Sequence, residues 1–265
     1  MEANEKQLVY GGIVNRDYEG DIATAGDTVN ITSVGDPTVA DYVPNVTAIV
    51  PQELTDAQTK LTITQSKYFA FKIDNVDKRQ AKPGLMQEAL KRAGYRLRDL
   101  ADQFVASLYT GVVSANAIGT VAITTPALAF ENLNALMVKL DEANVPSDGR
   151  WVIVPPWYSG LLSLDLRVLT AQSPLQGGAL LNGLVQHAQG FEIHKSNNTP
   201  NPTGDDNIVM AGTNAAISFA EQISPDSIIA YQPEASFSDA IKGLHLYGAK
   251  LVRPEGIATL QASRT

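Results

Sequence analysis

His187, His194 and His245 are the three imidazoles of the chain, and no two of them stand three or four residues apart. A metal held on one helical face needs that spacing, and no HExxH pattern supplies it. With no cysteine present, thiolate zinc sites, iron–sulfur clusters, disulfides and thiol nucleophiles are excluded. The run GGALLNG at 177–183 has the glycines of a phosphate-cradling loop. It lacks the Gly-Lys-Ser/Thr ending of a P-loop and the GxGxxG spacing of a dinucleotide site, so it reads as a flexible loop. No GxSxG nucleophile turn occurs. The neighbouring carboxylates Asp141-Glu142 and Asp205-Asp206 fit a solvated helix face and a polar loop better than a general acid and base. No catalytic, cofactor-binding or metal-binding residue is assigned, and the chain is not expected to be an enzyme.

Lys91, Arg92, Arg96 and Arg98 could form a basic stripe for nucleic acid, but Glu88, Asp99 and Asp102 are interleaved with them. Glu88–Arg92 and Arg98–Asp102 sit at i, i+4, which suits a solvated face carrying weak ion pairs of about 0.3–0.5 kcal/mol. The overall balance agrees: 28 acidic against 20 basic residues give a net charge of −8, whereas a nucleic-acid reader normally carries a basic excess. Charged residues make up only 18% and apolar residues 44%, enough for a buried core and against a disordered chain. The opening MEANEKQLVYGG has no apolar signal segment, and nowhere do ~18 apolar residues run together, so no membrane span is expected. A soluble, acidic protein made in the cytoplasm is expected.

The positioning elements are unusual in length. Residues 1–27 read as an arm, and 27–34 alternate in the manner of a strand before the turn Gly35-Asp36-Pro37. From Lys60 to Asp74 the odd positions hold Leu61, Ile63, Phe69, Phe71 and Ile73, while the even ones are mostly polar. That is one strand with an apolar ribbon and a polar ribbon. Fifteen residues at ~3.3 Å reach ~50 Å, against the usual 5–6 residues. The intervening stretch, with Pro44 and Pro51, reads as the irregular end of a long hairpin.

Between Pro83-Gly84 and Gly111, a helix is predicted over Leu85–Tyr109, with Met86, Leu90, Ala93, Leu97, Leu100, Ala101, Phe104 and Leu108 on one face. Thr125-Pro126 opens a second helix to about Ala143, with Phe130, Leu133, Met137 and Leu140 as its apolar face. Strands are expected at 151–154, 191–194, 208–211, 244–252 and 257–261, a short helix at 157–166, and a helix start or bend at Phe237. The class is α+β. A compact globule of this length has a radius of gyration of ~18 Å, so elements this long point to a plate-like subunit whose apolar ribbon is covered by neighbours.

The order of segments is familiar: NRDYEGDI, then GDTVNITSVGDPTVADY, then LTDAQTKLTITQSKYFAFKIDNVDKRQA, the helix end ADQFVASLYTG, GFEIHKSNN, and FSDAIKGLHLYGAKLVRPEGIATL. Over essentially the whole chain this resembles the major capsid proteins of tailed double-stranded DNA bacteriophages, of the Hong Kong 97 type. The resemblance implies an N-arm at 1–27, an extended E-loop hairpin at 28–77 and a peripheral domain at 78–113 and 227–265 that contains the spine helix. It implies an axial domain at 114–226. In that family the E-loop lies over an adjacent subunit. The implied function is an icosahedral shell of pentamers and hexamers, assembled in the host bacterial cytoplasm and found in the virion. The shell encloses double-stranded DNA without reading it.

The implied partners are further copies of the chain, a separate scaffolding protein, a portal and a decoration protein; no membrane and no cofactor are implied. A separate scaffold, or an upstream region removed beforehand, is expected because the chain begins almost directly at the arm. Assembly contacts are expected at Ile63, Phe69 and Phe71 on the E-loop ribbon and at Arg16, Asp17 and Glu19 on the arm. Some family members join subunits by a Lys–Asn isopeptide bond assisted by Glu. Here 43–59 hold no Lys and 237–265 no Asn, so no covalent crosslink is expected. The rival readings are an encapsulin-like nanocompartment with the same fold, and an enzyme or ligand-binding module whose site is not recognisable.

Overall fold

The computed structural model describes residues 9–17, 28–34, 41, 44, 56–74, 85–165, 180–181, 184–185, 187–222, 228–232 and 238–264. The described part of its arm opens on a single helical turn, α1 (Tyr10–Ile13). The first alternating segments then form a two-stranded antiparallel ribbon, β1 (Thr28–Val34) and β2 (Asp56–Thr62), in the register Thr28↔Thr62 to Val34↔Asp56.

The single strand expected over Lys60–Asp74 is in fact two. The chain leaves β2 at Thr62, and β3 (Gln65–Asp74) takes a different partner, the long β13 (Ser238–Leu251), from Ser238↔Asp74 to Tyr247↔Gln65. Alternation survives the break because Leu61 and Ile63 are buried before and within it, and Phe69 and Phe71 are half-buried after it. Periodicity reports which side faces a core; it does not report which strand lies alongside. Residues 65–74 therefore belong to a sheet rather than to the free hairpin. In that four-stranded sheet β13 is central: β3 lies on one side, and β11 (Ile217–Gln222) and β12 (Ile228–Tyr231) share the other.

Gly248 lets β13 approach the break. A Cβ there would strike the Thr62 carbonyl oxygen and come within 3.0 Å of the Ile63 Cα. The helix α2 (Leu85–Ala106) packs on the other face of this sheet, with Phe104 edge-on to Tyr247 at 5.6 Å between ring centroids. It ends three residues before the expected Tyr109 and tightens into a 3-10 turn over Ser107–Gly111, a common helix ending.

A six-stranded sheet forms the second layer, in the order β4 (Ala117–Ala122), β14 (Ile257–Ser263), β10 (Asn207–Thr213), β5 (Arg150–Val154), β9 (Phe191–Lys195) and β8 (His187–Ala188). β5 is buried at every position, as its apolar run Trp151–Val154 requires of an internal strand. Two helices cover the sheet, α3 (Pro126–Glu142) and α4 (Pro156–Leu164). Thr125 caps α3 by accepting the Leu128 amide at 3.3 Å. The buried face of α3 is Ala129, Leu133, Leu136 and Leu140, with Phe130 and Met137 at its margin. The apolar stripe is thus turned by about one residue from the expected one.

Sheet membership also cuts the chain differently from the expected boundary at 226/227. β11 joins the sheet of β13, whereas the last strand, β14, lies between β4 and β10 in the six-stranded sheet. Two short 3-10 links, Asn214–Ala216 and Pro254–Gly256, carry the chain across. Around them a single core joins both sheets, the arm and the spine of α2: Trp151, Met210, Ile257, Phe219, Tyr247, Ala101, Val105 and Tyr10. Phe237 lies outside the described residues. Among those described, no helix is long and apolar enough to cross a membrane.

Candidate assembly surfaces

The arm is clasped to the body at two carboxylates. Asp102, buried on α2, accepts the amides of Tyr10 (2.7 Å) and Gly11 (3.4 Å), and a side-chain N–H of Asn198 at 3.1 Å. Burial raises its pKa, and the hydrogen bonds from Asn198, Tyr10 and Gly11 offset only part of that rise. Further along, Asn15 donates to the Asn214 and Ile217 carbonyls (3.1 and 3.0 Å) and accepts from Phe219 (2.8 Å), which ties the arm beside β11. Arg16 then pairs with Glu221, and Glu221 also meets Nε2 of the fully buried His245 at 3.2 Å. Burial pushes the Glu221 carboxyl up, but the contacts with His245 and Arg16 together outweigh it and leave its pKa lowered.

The expected contact residues fall into distinct environments. Arg16 is engaged in its own chain, and its guanidinium also lies 5.5 Å from the Phe219 ring centre. Asp17 is exposed beside it, its amide bonded to Asn15 Oδ1 at 2.8 Å. Glu19 lies outside the described residues. Ile63 is buried with Leu61, Ile31 and Ala220 at the hairpin base. Phe69 lies over Gly243, where a Cβ would come within 2.6 Å of the ring, and stacks on Phe71 with centroids 6.0 Å apart. Ile63 and Phe69 therefore pack within their own chain.

The surface that remains open is the other ribbon. Tyr68, 79% exposed, stands directly across from Leu244, 39% exposed. In the same sheet Ile229 pairs with Lys242, and the exposed Tyr231 receives the Lys242 ammonium 5.3 Å from its ring centre. Tyr68, Leu244, Ile229 and Tyr231 form a largely apolar strip on the sheet face opposite α2, interrupted by the exposed Lys72 and Lys242. Its signal was present in the sequence: Tyr68 is an aromatic residue on the polar side of an alternating strand.

No group of three metal-ligating side chains occurs among the described residues. His194 lies on β9 with its pKa lowered, first by burial; Glu192 opposes this and His187 adds to it. Asp206 accepts from Gln261 at 2.7 Å, and Asp141 pairs with the buried Arg150 at 2.7 Å. Of GGALLNG, only Leu180 and Leu181 are described, in a two-residue strand paired with Leu184–Val185.

The model of the phage capsid protein family matches residues 58–260. The chain belongs to the phage capsid protein family. It is a structural protein of the virion capsid, and its resemblance to the major capsid proteins of tailed phages is upheld. A chain of Mycobacterium phage Che8 superposes on this capsid protein with a TM-score of 0.81 at 28% identity, covering 98% of this chain and 93% of the other. The capsid of cyanophage P-SCSP1u gives a TM-score of 0.78 at 16% identity, over 100% and 91%. The SrpI encapsulin of Synechococcus elongatus shares the fold at a TM-score of 0.66 and 10% identity, over 99% and 90%. No curated protein sequence matches this capsid protein.

Proposed function

We propose that this protein assembles, without catalysis, into an icosahedral shell of pentamers and hexamers that encloses double-stranded DNA. The observation that carries the reading is the apolar strip Tyr68–Leu244–Ile229–Tyr231 on a sheet face of a capsid-family subunit. Exposed apolar area of this kind marks a surface that a partner covers. In a shell the partner is another copy meeting it by the same heterologous contact until the assembly closes.

The parts then take the family's roles. Residues 9–17 are the described part of the N-arm, the β1–β2 ribbon is the stem of the E-loop, and α2 is the spine. The α3/α4-covered sheet is the core of the axial domain. The shell is built in the host bacterial cytoplasm around a separate scaffolding protein, takes in a portal and accepts a decoration protein. A cargo nanocompartment is the rival, and the closer superposition on the Che8 chain than on the SrpI encapsulin favours the phage shell.

Sedimentation velocity of the purified protein, with and without its scaffold, tests the reading. Fast-sedimenting closed particles are expected for the native chain, and Tyr68→Glu combined with Leu244→Glu should leave folded subunits that fail to assemble. Equal assembly by that double variant would remove the strip from the interface.

A further inference from the structure

The side of the subunit opposite the apolar strip has a different chemistry. Over residues 91–98 of α2, Lys91, Arg92, Arg96 and Arg98 are all exposed. In sequence their charge is balanced by Glu88, Asp99 and Asp102, but the fold separates the signs. Asp102 is turned inward to the arm, and Asp99 is buried, accepting from Asn198 at 2.9 Å and Gln103 at 3.2 Å. Glu88 alone remains exposed, 2.8 Å from Arg92. Arg96 reaches Asp99 only at 3.8 Å. The expected Glu88–Arg92 pair forms and Arg96 keeps Asp99 at 3.8 Å, but Asp102 is turned to the arm rather than to Arg98; among the described residues, 91–98 thus expose four cations beside the exposed carboxylate of Glu88, on a chain whose net charge is −8.

We infer that this face of α2 binds the phosphate backbone of duplex DNA and so forms the lumenal side of the shell wall. The inference rests on the shell reading above. Two features select phosphate over an acidic protein segment. Three of the four cations are arginines, whose planar forks take phosphate oxygens in pairs. Lys91 and Arg98 stand ~10 Å apart along the helix axis, a length over which duplex DNA presents about six charges. The spacing of the cations along the helix is thus matched by the charge density of the duplex, with no base-edge contact required. The apolar strip and the cationic helix lie on opposite faces of one sheet, so the protein contact and the DNA contact do not compete.

The test uses the full-length purified protein, a random-sequence DNA duplex and fluorescence anisotropy between 50 and 200 mM salt. Four phosphate contacts predict a slope of log K against log salt near −3.6, or an affinity loss of about 150-fold across that range. The variant Lys91→Gln/Arg92→Gln/Arg96→Gln/Arg98→Gln should flatten the slope by about 3–4 while its urea midpoint stays within error. Glu88→Gln should tighten binding, the opposite sign. An unchanged slope in the quadruple variant would overturn the inference. So would poly-glutamate binding as tightly as the duplex, which would point to an acidic protein partner instead. Particle formation, followed separately by sedimentation, distinguishes the two readings: shells with an unaltered slope defeat only the DNA contact, and no shells under any condition defeat the shell itself.

Discussion

Gly248→Ala perturbs the point where the hairpin leaves the body. The added methyl would meet the Thr62 carbonyl oxygen head-on, with Ile63 Cα at 3.0 Å and Thr62 C at 3.1 Å. Carbon atoms prefer about 3.5–4.0 Å, so either β13 retreats or the Thr62–Ile63 backbone moves by roughly half an ångström or more. These are backbone atoms between two paired strands, with no rotamer to yield. Overpacking of this kind costs about 1–3 kcal/mol. Alanine also restricts the unfolded chain, which returns about 0.4–1 kcal/mol, so a net loss near 1–2 kcal/mol is expected. The matched control is Gly243→Ala, where the clash is with the half-exposed Phe69 ring, which can swing aside at lower cost. Urea unfolding of dissociated subunits measures both. Gly248→Ala should lower the midpoint by clearly more than Gly243→Ala, with an unchanged slope. If Gly248→Ala were as stable as the native chain, or the less damaging of the two, the account of how the hairpin is seated would be wrong.

Other expectations concern the cap, the clasps and the shell. Thr125→Ala, which removes the Leu128 cap, should cost about 1 kcal/mol in the same assay. Glu221 has a lowered folded pKa, so its contribution to stability is present above the ordinary carboxylate value of about 4.3 and is lost as pH falls through the folded value. Asp102, with a raised folded pKa, runs the other way: its contribution is full below its unfolded value and declines as pH rises through the folded one. Unfolding followed from pH 7 to 3 should therefore show the Glu221→Gln variant losing less stability on acidification than the native chain. Asp102→Ala, which strips the acceptor from the Tyr10 and Gly11 amides, should expose the arm to limited proteolysis before any other segment is cut. Denaturing gels of mature particles should show only the monomer band, since the lysine and asparagine of an isopeptide crosslink are absent from 43–59 and 237–265.

Local chemistry was legible where one residue type settles the matter. Thr125-Pro126 marked a helix start that the structure places at Pro126, and the alternation around Leu61 and Ile63 marked their burial. Long-range partnership was not legible. The same alternation runs through Thr64, yet the strands on either side of it pair with segments more than a hundred residues apart in sequence. β4 carries almost no strand signal in AIGTVA and is held as an edge by pairing with β14. Asp99 and Asp102 looked like solvent-facing partners for the arginines of their helix. They are buried because Asn198 and the arm amides, distant in sequence, converge on them, although Asp99 keeps Arg96 at 3.8 Å.

Cryo-electron microscopy of particles purified with packaged DNA would show what covers each surface of the subunit. A closed icosahedral shell is expected, in which a neighbouring copy covers Tyr68 and Leu244 and α2 lines the lumen. Particles that fail to close, or a shell in which Tyr68 and Leu244 face solvent uncovered, would contradict it.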